Sequence, residues 1–467
     1  MKKPLLTILS AVLSLSAFAQ PMPSSEWATL QNTNFTVSAA GTRFLDAANA
    51  NDIWIIGYDG FAYNRNYNWF SVSNDGGNTF TTGNVYADTS TYQMGNLDAI
   101  DANNCWVSAF MKASQSMGAV HQTTNGGVTW TDMTPVGAYT NSASFVNVVA
   151  FVTPSVGIIM GDPVGGFFEI YRTTDGGVTF TKVPNANMPA ALGGEYGTVN
   201  IYDKYGTNDI WFGTTKNRVF HSADGGLNWT VSAAITSTLG AAQFVTDLAF
   251  SDANNGLMTC YFGPSAATSS ITLWNTTNGG ANWTQIPTIS PQFGYNDFAA
   301  VKGVPGMYGS CSNGSATASQ FLSYSTDNGV TWTDWGSQNI GYLAMDFVDN
   351  QNAWVGTFSS QVVIGTEGLY KFTGTPLGLN TKGGAAPLAV DVYPNPSNGV
   401  FSVKMPTAKE GYCITVHDVS GKQVYSHNGK TAGMETLSYD LSHLGKGIYN
   451  ITITIGNDVS TQKIIIQ

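Results

Sequence analysis

The sequence predicts an all-β protein with two parts, a ring of repeated four-stranded sheets and a smaller β domain at the C-terminus. Three observations predict it: a composition rich in turn residues, a short motif that recurs at a fixed distance, and a change of pattern near residue 374. Of the 467 residues 52 are glycine, and only 10% are charged, against roughly 25% in an average soluble protein. Such a composition is typical of short strands joined by tight turns.

The first 19 residues have the pattern of a secretory signal peptide. Lys2 and Lys3 precede the apolar run PLLTILSAVLSLSAF, and Ala17-Phe18-Ala19 is a small-x-small cleavage site. The apolar run is too short to cross a membrane as a helix, and polar sequence follows it directly. We therefore expect an exported chain whose mature form begins at Gln20.

A motif of eight residues occurs six times between residues 73 and 332. The copies are SNDGGNTF (73–80), TTNGGVTW (123–130), TTDGGVTF (173–180), SADGGLNW (222–229), TTNGGANW (276–283) and STDNGVTW (325–332). Successive copies are 49 to 54 residues apart. A period near this length, with each unit reading as strands, is typical of a β-propeller.

Short apolar segments recur with the same period, and there are seven of them. They are NDIWIIG (51–57), NNCWVSAF (103–110), SVGIIMG (155–161), NDIWFG (208–213), NNGLMTCYF (254–262), PGMYGSC (305–311) and QNAWVGTF (351–358). Each unit is expected to hold four strands, of which the apolar segment is the second. The last unit lacks the motif, and SSEWATL (24–30), with Trp27 as its aromatic residue, can supply the missing outer strand. The sequence thus predicts a seven-bladed β-propeller over residues 20–373, closed by its own N-terminal strand.

Each copy of the motif carries an aspartate or an asparagine at its third position. These residues are Asp75, Asn125, Asp175, Asp224, Asn278 and Asp327. Both side chains can accept backbone N–H bonds inside a turn whose glycines provide positive φ. Calcium binding and general-base catalysis would instead require carboxylate charge. We therefore expect a structural role for these six residues.

The motif resembles the Asp-box (BNR) repeat, S/T-x-D-x-G-x-x-W/F. This repeat is shared by sialidases, xyloglucanases, sortilin-type receptors and bacterial relatives of the photosystem II assembly-factor propeller. The run GDPVGGFFEIYRTTDGG (161–177) looks most like the last group. The resemblance implies the fold far better than the function, because one propeller fold supports many activities.

The tail, residues 390–467, follows a linker over 374–389 and has a different pattern. It contains VYPNPSNGVFSV (392–403), ITVHDVSGKQVYS (414–426) and LGKGIYNITI (444–453), whose alternation predicts a small β-sandwich. The tail resembles the C-terminal sorting domain of the type IX secretion system. The residues that match the family's pattern are Tyr393, Asn395, Pro396, Asp418, Gly421, Gly447, Tyr449 and Lys463. The resemblance implies the type IX machinery as a partner and a secreted or outer-membrane-attached protein.

Charge and cysteine content exclude several classes of function. Residues 20–373 include 24 acidic and 10 basic residues, which argues against nucleic acid as a partner. The four cysteines fit neither a zinc site nor a disulfide framework. Free buried thiols are favoured over a bridge between Cys260 and Cys311. No metal or cofactor is predicted, and a monomer is expected.

A ligand is expected on the propeller face opposite the Asp boxes, where the inner strands are expected to begin. The candidate residues there are Arg43, Asp46, Asp98, Asp247, Asp297 and Asp346, with Tyr63 and Trp69 for stacking on a sugar or a partner. The aspartates could equally be polar strand ends that line a water-filled channel. The alternate spacing of the aromatic residues also suits packing on one strand face.

Asp162 and Glu195 are the best candidates for a catalytic carboxylate pair, as a glycoside hydrolase requires. The alternative is that Asp162 caps a tight turn and Glu195 is a solvated loop charge. A sialidase is disfavoured because it needs three arginines for the substrate carboxylate. The chain has four arginines. Arg172 and Arg218 precede Asp boxes, so they are expected near the box face and away from the expected ligand face.

These observations favour an exported recognition protein whose propeller binds a glycan or a protein. A glycoside hydrolase acting on a neutral polysaccharide is one alternative. A non-enzymatic assembly or scaffold factor is the other.

Overall fold

The computed structural model describes residues 26–28, 31–35, 40–59, 65–85, 92–111, 118–140, 144–235, 242–262, 270–312, 321–337, 341–358, 368–375, 377, 390–404, 411–418, 422–430, 436–455 and 458–467. The chain divides into two compact units, Met1–Leu377 and Gly378–Gln467. The predicted signal peptide and most of the predicted linker lie outside the described residues. Among the described residues, no helix has the length and apolar character needed to cross a membrane.

The first unit is built of antiparallel β-strands. Its first nine strands are β1 (Gln31–Asn32), β2 (Ala40–Ala47), β3 (Ile53–Asp59), β4 (Arg65–Ser73), β5 (Thr81–Asn84), β6 (Tyr92–Ala99), β7 (Cys105–Met111), β8 (Gly118–Thr123) and β9 (Thr131–Asp132). The next eight are β10 (Val146–Phe151), β11 (Gly157–Val164), β12 (Phe167–Thr173), β13 (Thr181–Lys182), β14 (Gly197–Tyr205), β15 (Asp209–Thr214), β16 (Val219–Ser222) and β17 (Thr230–Val231), with one 3-10 turn at Asn185–Asn187. The remaining strands are β18 (Ala242–Phe250), β19 (Gly256–Phe262), β20 (Ser270–Thr276), β21 (Thr284–Ile286), β22 (Asp297–Ala300), β23 (Tyr308–Cys311), β24 (Phe321–Ser325), β25 (Thr333–Ser337), β26 (Gly341–Phe347), β27 (Ala353–Phe358) and β28 (Gly368–Lys371).

These strands form five four-stranded sheets and one eight-stranded sheet. The four-stranded sheets are β6–β9, β10–β13, β14–β17, β18–β21 and β22–β25, each a meander of consecutive strands. The eight-stranded sheet joins β2–β5 to β26–β28 and β1 through a single pair, Gly41 with Phe358. Divided there, it gives two further groups of four strands.

The first strand of each group contacts the first strand of the next. The contacts run from β2 through β6, β10, β14, β18, β22 and β26, and β26 in turn contacts β2. The inner strands of the described residues therefore close a ring, as in a β-propeller. From this division of the strands we infer seven blades.

The N-terminal strand completes the last sheet, as the sequence predicts. β1 pairs with β28 through Gln31–Leu369 and Asn32–Gly368, and Trp27 forms a bridge with Phe372. Trp27 is 1% exposed and packs edge-on against Trp335 and Phe372. The ring is thus closed by segments from opposite ends of the first unit.

The Asp boxes form tight turns between the third and fourth strands of their sheets. In the first box, Gly76 and Gly77 have φ of 74° and 91°, which favours glycine. The N–H of Gly76 donates to the carbonyl of Asn51, in the turn between β2 and β3 (2.9 Å). Equivalent bonds join the other five boxes to the turns that follow β6, β10, β14, β18 and β22. The ends of the inner strands therefore lie on the same face as the boxes.

The second unit contains two antiparallel sheets. Its strands are β29 (Asp391–Tyr393), β30 (Val400–Lys404), β31 (Gly411–Asp418), β32 (Gln423–Lys430), β33 (Thr436–Asp440), β34 (Gly447–Ile455) and β35 (Asp458–Ile466). One sheet has the order β29-β30-β33 and the other β32-β31-β34-β35. Phe401 and Val403 of the first sheet share one buried cluster with Ile414 and Ile451 of the second. This common core is what the predicted β-sandwich requires.

Candidate functional site

A cavity of about 600 Å³ lies inside the ring of inner strands. Its walls come from the inner strands, including Asp297 at the start of β22, and from the turns that follow the strands, such as Ala48, Ile100, Val152 and Val348. Because these turns meet the Asp boxes, the cavity reaches the box face of the ring. A volume of this size is in the range of small-molecule sites.

Six aspartates of the inner strands accept a backbone N–H from the next inner strand, and all but Asp98 line the cavity. We call these contacts the carboxyl bridges. They join Asp46 to Ala99 (2.6 Å), Asp98 to Phe151 (2.7 Å), Asp203 to Phe250 (2.5 Å), Asp247 to Phe298 (3.2 Å), Asp297 to Met345 (2.7 Å) and Asp346 to Ala47 (2.8 Å). A carboxylate that accepts a backbone N–H holds two strands that share no sheet ladder.

Two lysines that line the cavity pair with two of these aspartates. Lys204 of β14 reaches past β10 to form an ion pair with Asp98 of β6. Lys302, in the turn after β22, reaches past β18 to both carboxylate oxygens of Asp203 (2.6 and 2.7 Å). Its ammonium group also donates to the carbonyls of Lys204 and Phe250. The polar groups inside the ring therefore hold its strands together.

Burial raises the pKa of the carboxyl groups in the ring. It raises the pKa of Asp98 to about 6, although Lys204 opposes the shift. It raises the pKa of Asp247 and of Asp346 to about 7, and those of Asp46 and Asp297 are also raised. Burial alone would lower the pKa of Lys204, but the carboxylates of Asp98 and Asp46 outweigh it and raise that pKa.

The structure corrects the expected strand positions of three ligand candidates. Asp46, Asp98 and Asp346 are the next-to-last residues of β2, β6 and β26, whereas the sequence analysis expects them at strand starts. They therefore lie toward the box face. Asp297 does begin β22, and Asp247 is inside β18. Binding of a ligand by these five aspartates stays a prediction.

Asp162 lies on the face opposite the boxes, at the joint between β10 and β14. Its Oδ1 accepts the side-chain amide of Asn147 (2.8 Å) and the N–H of Gly197 (2.9 Å), the first residue of β14. Burial raises its pKa to about 6, although both hydrogen bonds oppose the shift. Asp162 thus connects two neighbouring sheets. Its predicted catalytic role stays a prediction.

Glu195 is buried in an ion pair with Arg218 and is 2% exposed. Its Oε1 accepts Arg218 Nε (2.9 Å) and Thr214 Oγ1 (2.7 Å), while Oε2 accepts Leu192 N (2.8 Å) and Arg218 Nη2. The expectation of a solvated loop charge is therefore wrong. So is the expected position of Arg218, because it precedes the short strand β16 and lies at the end away from the box. Arg172 does lie near a box, where it donates to the Gly225 carbonyl (2.7 Å).

The other candidates are distributed as follows. Arg43 borders the cavity, and its guanidinium carbon is 5.1 Å from the centre of the Phe44 ring. Trp69 is half-buried and packs against the apolar cluster that contains Phe35 and Ile55. This agrees with the alternative in which the aromatic residue packs on a strand face. Tyr63 lies outside the described residues. The four cysteines are free, and Cys260 and Cys311 are buried.

Sequence reasoning missed Asp203, Lys204 and Lys302. The signal for Asp203 was present, because YDKY (202–205) stands in its inner strand where LDA stands in β2 and in β6. The lysines gave no local signal, since each pairs with a residue roughly a hundred positions away. Among the described residues, no three His, Cys, Asp or Glu side chains form a group suited to a metal ion.

The asparagine of the YPNP segment holds the last strand of the second unit. Asn395 Nδ2 donates to the Lys463 carbonyl (2.6 Å), and its Oδ1 accepts Ile465 N (2.9 Å). Asp418 Oδ1 accepts Lys422 N (3.1 Å), and the Tyr449 hydroxyl donates to the Gly445 carbonyl (2.7 Å). The peptide bonds before Pro394 and Pro396 are cis. Gly421 lies outside the described residues.

Residues 391–467 match the family described as the secretion system C-terminal sorting domain. The match supports export of the chain by type IX secretion and an interaction with that machinery. No similar sequence was found among curated proteins.

Several solved structures resemble the chain at low sequence identity. YCF48 from Cyanidioschyzon merolae is 15% identical, with 74% of this chain and 98% of that protein covered and a TM-score of 0.47. The Trypanosoma rangeli sialidase is 10% identical, with 95% and 87% covered and a TM-score of 0.40. The GH74 xyloglucanase from Xanthomonas campestris is 12% identical, with 89% and 66% covered and a TM-score of 0.28. Similarities this remote carry no argument about activity.

Proposed function

We propose that this chain is a recognition protein, exported by type IX secretion, whose seven-bladed propeller binds a glycan or a protein at the cell surface or outside the cell. The ligand surface that we propose is the face opposite the Asp boxes. Leu192, Tyr196 and Tyr295 lie there, in connections that lead to inner strands, and are 47%, 50% and 53% exposed. Exposed tyrosines suit both sugar and protein ligands.

One observation carries the choice of recognition over hydrolysis: Glu195 is committed to Arg218. A glycosidase needs two carboxyl groups that face the substrate, one as acid and one as base or nucleophile. Both oxygens of Glu195 accept hydrogen bonds from Arg218, Thr214 or Leu192. A residue held in this way supports the loop before β14 and is poorly suited to proton transfer.

The export part of the proposal is tested by removing residues 391–467 in the native host. We expect the shortened protein to stay inside the outer membrane, while the full chain reaches the surface or the medium. A single Val400→Ala variant, at an exposed position of the same domain that is not among the matching pattern residues, serves as a mildly perturbed control. Export of the shortened protein at the level of the full chain would contradict the proposal.

The recognition part is tested with the full mature chain on a glycan array and on neutral polysaccharides. We expect binding without depolymerisation. Tyr196→Ala should weaken binding by up to about tenfold, as loss of one stacked aromatic ring does. Val128 lies on the box face with its side chain 81% exposed, so Val128→Ala should leave binding unchanged. Depolymerisation that is lost in Asp162→Asn but kept in Asp132→Asn would establish the hydrolase instead.

A further inference from the structure

The carboxyl bridges connect almost every pair of neighbouring inner strands. They cover the joints β2–β6, β6–β10, β14–β18, β18–β22, β22–β26 and β26–β2. Neighbouring inner strands are not paired with each other by the hydrogen bonds of a sheet. The bridges therefore join strands that backbone pairing leaves unconnected.

The joint between β10 and β14 is made differently. Ala150 occupies the position before Phe151 that Asp98 occupies before Ala99, so β10 has no carboxyl group there. Asp162 closes this joint from the other face by accepting Gly197 N. Tyr202 of β14 also donates its hydroxyl to Asp98 Oδ1 (3.1 Å), past β10. Each of the seven joints of the described ring thus includes a carboxyl group that accepts a backbone N–H.

The charged groups that face one another inside the ring are unequal in number. β2 contributes Arg43 and Asp46, β6 contributes Asp98, and β14 contributes Asp203 and Lys204. β18, β22 and β26 contribute Asp247, Asp297 and Asp346, and the turn after β22 contributes Lys302; the described residues of β10 include no charged group. Six carboxyl groups therefore face three basic groups, of which two lysines are already paired.

We propose that the ring is a pH-sensitive closure, in which the carboxyl bridges hold neighbouring inner strands most firmly in mildly acidic medium and loosen as the medium passes neutrality. A protonated carboxyl group keeps its carbonyl oxygen as an acceptor for the backbone N–H. Asp98 and Asp203 form ion pairs with Lys204 and Lys302, which compensate their charge. At Asp247 and Asp346 ionisation instead adds a charge that neighbouring carboxylates repel. Neutral bridges therefore stabilise the closed ring at these positions, and ionised ones strain it.

The direction follows from the raised pKa values of these groups. The pKa of Asp98 and of Asp162 is about 6, and that of Asp247 and of Asp346 is about 7, against 3.8 for an ordinary aspartate. The folded ring thus retains protons that the unfolded chain releases. This contribution to stability is present in acidic medium and is lost as the pH rises through about 6 to 7. His121, whose pKa is lowered by burial, acts in the opposite direction.

The test is the thermal midpoint of the full mature chain at fixed ionic strength, between about pH 5.5 and pH 8.5. We expect the midpoint to fall by at least about 3 °C over this range. Asp247→Asn and Asp346→Asn should each reduce the fall, because an amide does not titrate. The amide oxygen can keep the N–H of Phe298 or Ala47, while the second bond, from Leu248 or Phe347, is lost at every pH. A wild-type midpoint that is constant or rises, or an unchanged slope in both variants, would overturn the proposal.

Two further measurements separate this effect from a simple loss of folding. Asp203→Asn, which removes the partner of Lys302, should lower the midpoint at both pH values, as a simple loss of stability does. Hydrogen exchange of the wild-type chain, corrected for the intrinsic rate, should show stronger protection of the Phe298, Met345 and Ala47 amides at the lower pH. Equal or weaker protection there would overturn the proposal even if no variant folds.

Discussion

At the scale of the residue, the third position of the Asp box shows what its side chain provides. Asp75 Oδ1 accepts Thr79 N (2.9 Å) and the Ser73 hydroxyl (2.8 Å), and its Oδ2 accepts the Thr79 hydroxyl (2.6 Å). Asn125 Oδ1 accepts Thr129 N (2.9 Å), while its amide nitrogen donates to the Thr129 hydroxyl (2.8 Å). The threonine hydroxyl reverses its role, so both residue types complete the same turn.

This exchange of roles predicts the outcome of substitutions at Asp327. Asp327→Asn should change the free energy of unfolding by less than about 0.5 kcal/mol, whereas Asp327→Ala should cost about 1–2 kcal/mol through the lost bonds to Thr331 and Ser325. Urea unfolding at neutral pH measures both. Equal costs for the two variants would show that the carboxylate charge, and not the acceptor, is what the turn requires.

The pH dependence of this box has the opposite sign to that of the ring. Burial would raise the pKa of Asp327, but the hydrogen bonds from Thr331 and Ser325 outweigh it and lower the pKa below 3.8. The contribution of Asp327 is therefore present at neutral pH and is lost as the pH falls below about 4. The carboxyl bridges and the Asp boxes thus act in separate pH ranges.

At the scale of the element, a buried ion pair helps to hold the connection between β13 and β14. Glu195 binds the guanidinium of Arg218, and Arg218 Nη2 also donates to the Ala190 carbonyl (3.1 Å). The backbone of the same connection bonds to Glu195 through Leu192 N. The ion pair thus joins backbone hydrogen bonds, such as that from Ala191 N to the Gly166 carbonyl, in fixing the connection that carries the exposed Tyr196.

Arg218→Ala should destabilise the first unit by roughly 3–5 kcal/mol, because it leaves a buried carboxylate without its partner. Lys216→Ala, an exposed neighbour in the same turn, should change stability by less than about 0.5 kcal/mol. The measurement is denaturant unfolding of Arg218→Ala, of Glu195→Gln and of the variant that carries both changes, which together form a double-mutant cycle. Lys216→Ala is measured beside them as the control. Additive effects of Arg218→Ala and Glu195→Gln would mean that the pair does not act as a unit.

At the scale of the whole molecule, closure of the ring depends on the N-terminal segment. Trp27 packs in one buried cluster with Trp335 and Phe372. The backbone carbonyl of Glu26 accepts the N–H of Thr373 (2.7 Å). Radial closure leaves only short outer strands as sheet edges, which limits association between strands with so few charged residues. The closing contact joins residues more than 340 positions apart.

Trp27→Ala should cost about 3–5 kcal/mol, as removal of a buried tryptophan side chain does. The loss should appear both in the unfolding midpoint and as faster hydrogen exchange in β28, where β1 pairs. Val128→Ala on the box face is the control and should leave both unchanged. Faster exchange confined to residues 26–32, with β28 unaffected, would show that the last sheet does not need its N-terminal strand.

Repetition made much of the fold predictable from the sequence. The predicted apolar strand at 208–213 corresponds to β15 (Asp209–Thr214), and the one at 351–358 to β27 (Ala353–Phe358). A period near fifty is a local signal that is copied several times, so single errors do not obscure it. The assignment of Trp27 to the last sheet followed from the same count, because one aromatic strand was missing.

The sequence by itself therefore determined the strand repeat, the turn chemistry and the sorting tail of this protein. Only the tertiary structure decided that Glu195 pairs with Arg218, that Asp162 binds Gly197, and that Lys204 and Lys302 span the ring. The physical reason is the range of the interactions. Turn geometry and strand period depend on neighbours along the chain, whereas the partner of a buried charge is selected by what the closed ring brings within hydrogen-bond distance, and burial there also sets the pKa.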